Sequence, residues 1–183
     1  MSVFSLLLPA LLSADPGCDA GPPIWPDQLV LVQRRIPDDD SGNATTVTYY
    51  DWLRQANLIQ ITDDGDPANV LWDLELGTRH SFYFTPTQQT CQAIQFPVGI
   101  LRPDWLANAT CLGPRTVLGR ATIGWTKEDF IDYWADATTG EPVSWYFHTM
   151  QARFDTIYYA PGAQVPSEDY FVPPSYCNAS SPA

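Results

Sequence analysis

Apolar and aromatic residues at every second position, repeated along most of the chain, restrict its possible folds more than any motif does. The pattern is strongest from Gly124 to Phe147. There Phe130, Asp132 and Trp134 alternate with Ile131, Tyr133 and Ala135, the period of a half-buried strand. Asp136 to Pro142 is a turn cluster, with Gly140 where a positive φ is needed. Val143, Trp145 and Phe147 then alternate with Ser144, Tyr146 and His148. The stretch predicts an antiparallel hairpin with a strongly aromatic face. It carries three of the seven tryptophans, which makes it the expected centre of the core.

The same period recurs on both sides. Strands are expected at Leu29–Val32, Thr45–Trp52, Leu58–Thr62, Val70–Leu76, Ser81–Thr85, Cys91–Val98, Arg115–Gly124 and Arg153–Tyr159. Acidic turns separate some of them, at Pro37–Asn43 and Asp63–Pro67. Gly99–Gly113 breaks the rhythm, and Arg102-Pro103-Asp104-Trp105-Leu106 reads as one helical turn. The eleven glycines and 17 prolines suit many turns and few helices. About nine or ten short consecutive strands predict a mostly β fold: one curved antiparallel sheet, a half-open barrel with little helix. At 183 residues one domain is expected. It divides into an apolar N-terminal segment at 1–14, the β domain at 15–177 and a short tail at 178–183.

Within the first segment, Val3–Leu12 is apolar. Its length suits a signal-peptide core or a strand donated to a neighbouring subunit, and is too short to span a bilayer. Cys18, Cys91, Cys111 and Cys177 have no C-x-x-C spacing, so zinc and thioredoxin-type chemistry are poor fits. Two disulfides in an oxidising compartment fit better. Of the three possible connectivities, Cys91–Cys111 as a local staple with Cys18–Cys177 joining the ends is preferred. Sequons at Asn43, Asn108 and Asn178 add N-linked glycans to that expectation, and with it an extracellular location. The net charge of −12, from 21 acids and nine bases, disfavours nucleic acid and anionic membrane as partners.

Candidate chemistry is sparse. Asp38, Asp39, Asp40, Asp63, Asp64 and Asp66 could offer oxygen to calcium, but not in EF-hand spacing, and solvated turns explain them. His80 and His148 lie outside any nucleophile motif. Asp129, Asp132, Asp136 and Glu141 cluster around the hairpin as carboxylates for glycoside chemistry would, or as a solvated outer face. No catalytic residue, cofactor or metal is assigned. The aromatics say more. Trp72, Phe82, Phe84, Trp125, Trp134, Trp145 and Phe147 fall on expected strands. A curved sheet with so little helix leaves a concave face that something must fill, and these seven are the candidate ligand-binding residues.

Several strings resemble a plant and algal family of uncharacterised secreted proteins: Trp25-Pro26-Asp27-Gln28, Tyr49-Tyr50-Asp51-Trp52, Gly99-Ile100-Leu101-Arg102-Pro103-Asp104-Trp105-Leu106 and Pro174-Ser175-Tyr176-Cys177. The likeness spans Trp25 to Cys177. The hairpin with Gly140-Glu141-Pro142-Val143-Ser144-Trp145 is also similar to ependymin-related and LolA/LolB-like proteins. That resemblance implies a half-barrel around an apolar cavity that carries lipids or other hydrophobic ligands, with no catalytic residues to transfer.

The expected function is therefore that of a secreted, N-glycosylated, non-catalytic protein whose concave face binds an apolar small molecule or a peptide segment. The alternative is a structural protomer that binds copies of itself in an extracellular assembly or fibril, its N-terminal segment buried in a neighbour. A carbohydrate-active enzyme is the third reading.

Overall fold

The computed structural model describes residues 17–39, 41–163 and 165–177. The apolar segment 1–14 and the sequon at Asn178 lie outside them. Eleven strands form one sheet: β1 Gln28–Pro37, β2 Ala44–Asp51, β3 Ala56–Asp63, β4 Leu71–Leu76, β5 His80–Thr85, β6 Thr90–Gln95, β7 Thr110–Val117, β8 Arg120–Lys127, β9 Ile131–Asp136, β10 Pro142–Phe147 and β11 Ala152–Pro161. A single 3-10 turn, Glu168–Phe171, follows. The order across the sheet is β6-β5-β4-β3-β2-β1-β11-β10-β9-β8-β7. Each neighbour pair is antiparallel. Two meanders, β1–β6 and β7–β11, thus meet where β11 pairs with β1, and β6 and β7 remain as edges of an unclosed barrel.

The Asp136–Pro142 turn forms as expected, with Gly140 at φ 74°. The expected strand Arg115–Gly124 is corrected: it is two strands joined at Leu118-Gly119. Both turn residues have positive φ, 49° and 77°, the pattern of the tightest hairpin turns. The usual turn residues did not mark the break, because a leucine takes the first place.

Register separates the side chains into two faces. On the inner face, Leu29 is opposite Tyr50, Tyr133 opposite Trp145, and Trp145 opposite Phe154. A flat sheet would set β2 and β9 about 19 Å apart. Yet the Trp25 indole lies edge-on to Tyr50 at 5.5 Å and donates to the Tyr133 hydroxyl at 3.1 Å, so the sheet curls toward this face. The hollow is filled by the chain itself. Trp25, Ile100, Trp105 and Leu106 pack there with Leu31, Ile131 and Tyr133. The segment carrying Trp105 is anchored at several points. Lys127 Nζ donates to the Trp105 carbonyl at 2.6 Å, Tyr50 Oη to the Leu101 carbonyl at 2.9 Å, and the Trp25 amide to the Pro103 carbonyl at 2.9 Å.

A second core forms on the opposite face of β3–β6. Ala56, Leu58, Leu74, Phe82 and Phe84 lie there under Phe171, with Val165, Tyr176 and Cys177 beside them. Tyr170 stacks on Trp72 at 5.6 Å, and Tyr176 meets Phe84 edge-on at 6.5 Å. The disulfides are Cys18–Cys111 and Cys91–Cys177, which corrects both expected pairings. Cys111 is in the edge strand β7 and Cys91 in the edge strand β6. Each edge is therefore tied to one terminal segment. Proximity in sequence misled here: Cys91 and Cys111 sit at opposite ends of the strand order.

Candidate functional site

The seven aromatics do not converge on a cavity. Trp72, Phe82 and Phe84 belong to the outer core beneath the C-terminal segment. Trp145 is buried in the inner core with Phe147 packed against it, and Trp125, across from Tyr133, is buried on the same face. Trp134 points the other way. It lies across Gly124, where an added Cβ would come within 2.2 Å of its ring, and carries Arg115 over it at 5.2 Å. The concave aromatic face is thus occupied, across β8–β11 and β1–β2, by Trp25 and residues 100–106.

Three of the four acids near the hairpin, all but the exposed Asp129, are engaged as well. Arg120 bridges Asp136 at 2.8 Å and Glu141 at 3.3 Å. Amides of Thr139 and Thr138, with Arg120, hold the Asp136 carboxyl down to about 2. Asp132 lies 3.3 Å from His148, while His80 is on β5, six strands from β10 in the sheet order. Of the acidic-turn residues, Asp64 pairs with Arg34 and Asp38 accepts from Tyr146. Among the described residues no three side chains form a metal-ligating group. Asn43 and Asn108 lie in connections next to β2 and β7, half-buried and exposed respectively.

The inner face of the other meander, from β3 on, lies outside the inner core. There Asn57, Glu75 and Ser81 lie in one cross-strand row, and Ile59, Asp73, Tyr83 and Gln92 in the next. Ile59, Ile61, Leu71 and Tyr83 are half-buried. A depression of about 420 Å³ opens beside them, bounded by Leu71, Tyr83, Thr90, Cys91 and Gln92. Asp73, across from Tyr83 but outside that lining, is only 7% exposed, and its Oδ1 has no hydrogen-bond partner. Burial and then the Glu75 charge push its carboxyl up to about 8, against a bond from Tyr83. Burial also raises Glu75, which accepts from Asn57 Nδ2 at 2.8 Å; Asn57 Oδ1 is left unpartnered. Burial, with Asp73 and Glu75 nearby, raises Tyr83 too. The sequence reading missed this cluster. Its signal was present: two acids at alternate positions of a strand, in register with an asparagine and a tyrosine.

A second groove, of about 250 Å³, lies on the outer face against Arg115, Trp134, Ser144, Arg153 and Asp155. Its acid is already satisfied: Asp155 accepts from Ser144 Oγ at 2.8 Å and from Arg153 at 3.1 Å.

Fold and site together define an open antiparallel half-barrel, half filled by its own chain and half lined by hydrogen-bonding groups. The chain belongs to the family described as a domain of unknown function, DUF8395, whose model matches residues 24–177. Its fold is similar to the crystal structure of an uncharacterised conserved protein from Thermus thermophilus, with a TM-score of 0.56. That match covers 81% of this chain and 85% of the other at 6% identity, a likeness of fold alone. No curated protein matches the chain in sequence.

Proposed function

We propose that this protein is a secreted, N-glycosylated, non-catalytic binding module that takes a small amphipathic ligand on the inner face of β3–β6. One observation carries the reading. The chain fills the concave face with its own aromatics across β8–β11 and β1–β2, and leaves the acceptors Asp73 Oδ1 and Asn57 Oδ1 without donors on β4 and β3. A buried acceptor without a donor is costly, and a guest that supplies one recovers that cost. Half-buried Ile59, Ile61 and Leu71 give the guest an apolar wall. A purely apolar ligand suits this face less well, because it would leave the same acceptors bare.

Secretion rests on the two disulfides, which persist in oxidising compartments. Among the described residues no helix is long and apolar enough to cross a membrane. The non-catalytic reading rests on acids near the hairpin that are held in ion pairs. The test is native mass spectrometry of protein purified from a secreting host. A co-purified small molecule whose removal shifts the Ile59 and Ile61 methyl resonances supports the reading. A ligand that shifts other residues, or a stable polymer instead of a ligand-bearing monomer, overturns it.

A further inference from the structure

The chemistry of the open face narrows the guest, given that the face takes a ligand at all. Asp73 and Glu75 lie two residues apart on one face of β4, and among the described residues neither joins an ion pair. Asn57 already spends a donor on Glu75. The unmet groups, Asp73 Oδ1 and Asn57 Oδ1, are both acceptors. Two carboxyls and an amide are fewer oxygens than the six to eight a calcium ion takes. An alcohol brings one donor. An ammonium group brings three, with a positive charge for two acids that have no cation beside them.

We propose that the inner face of β3–β5 binds a small organic ammonium ion, its nitrogen seated among Asp73, Glu75 and Asn57 and its hydrocarbon along Ile59, Ile61 and Leu71. The acidity of the whole chain, net −12, draws such a guest toward the protein. The charged and titratable groups facing Asp73 are Glu75 on its own strand and Tyr83 from β5; the β3 neighbours Asn57 and Ile59 carry no charge. Without a guest, the Asp73 carboxyl holds a proton up to about pH 8. The ammonium replaces that proton. Affinity therefore rises with pH by up to about tenfold per unit until pH 8 and then levels.

The experiment is an NMR and calorimetric titration of the full chain with n-hexylammonium and with n-hexanol at pH 6, 7 and 8. The amine stays protonated throughout, as a lysine side chain does. Hexylammonium is expected to shift the Ile59 and Ile61 methyls, to bind more tightly at each higher pH, and to release about one proton per ligand near pH 7. Asp73→Asn is expected to weaken binding about tenfold or more and to abolish its pH dependence. Glu75→Gln weakens it less. Unshifted Ile100 and Ile131 methyls certify that each variant is folded. Hexanol binding as tightly as hexylammonium, or equal binding by Asp73→Asn, overturns the cation while leaving the cleft intact. Failure of both probes to move Ile59 and Ile61 overturns the cleft as well.

Discussion

On the inner face of β8–β11, Trp25 touches Tyr50, Trp105 and Trp145 at ring distances of 5.5, 5.6 and 6.1 Å. On the outer face of β3–β5, Leu58, Leu74 and Phe82 lie under Phe171 with Tyr176 alongside. Both cores belong to one sheet, yet they are closed by different means. The inner core receives a connection, residues 96–109, whose two ends are fixed in β6 and β7. Topology returns this segment to the hollow in every folded molecule. The outer core is closed by a segment beyond the last strand, held by Cys91–Cys177, by a short 3-10 turn, and by Arg54 over the Phe171 ring at 5.7 Å. Tied at both ends, the first behaves as interior. The second is a lid whose place depends on a covalent bond.

Removing a large ring from each core separates the two most strongly. Trp105→Ala is expected to cost about 3–5 kcal/mol in urea unfolding, because the plug loses its main buried surface. Phe171→Ala should cost less, since the lid can settle onto the sheet after truncation. Equal losses would make the cores equivalent. Next in size is the lid's tether. Replacing Cys91 and Cys177 by serine opens a link between residues 86 apart in sequence and should lose about 2–4 kcal/mol. Quenching of Trp72 fluorescence should rise while amide exchange at Tyr133 stays slow; faster exchange at both would show one shared core.

Smaller again is the effect at Trp134. Gly124→Ala should cost about 1–3 kcal/mol through the clash with the Trp134 ring. Adding Trp134→Ala should relieve most of that, and an additive double mutant would contradict the contact. The last effect concerns the inner face of β3–β5 and appears only as pH rises. The Asp73 carboxyl is raised in the folded state from 3.8 to about 8, so folding takes up a proton between those values and stability falls as pH rises through that window. Asp73→Asn should therefore raise Tm at pH 8 and hardly at all at pH 4. A pH-independent change would place Asp73 in contact with solvent.

Most of the sheet was legible because alternation survives even where turns are disguised. Several hairpins close on residues that ordinarily avoid positive φ: Gln55, Arg79, Gln89, Leu118, Glu128 and Gln151. Their turns carry weak sequence signals, and at Leu118 two strands merged into one. The faces were harder to read. Alternation shows that Trp134 and Tyr133 oppose each other, but not which of them meets the hollow. Nor does it show that the hydrophobic face changes sides between β2 and β3. Tyr50 belongs to the inner core and its neighbour Tyr49 to the outer one. That change explains the scattered aromatics and the placing of Asp73 and Glu75 on the inner face, whereas the exchanged disulfide partners follow from the strand order.

The most direct measurement is the broadening of isoleucine methyl signals by a neutral, water-soluble paramagnetic probe. Ile59 and Ile61, on the unfilled half of the inner face, should broaden strongly, and Ile100, within the plug, and Ile131, beneath it, should stay sharp. Sharp signals from all four would mean a hollow filled from end to end, with no place for a guest.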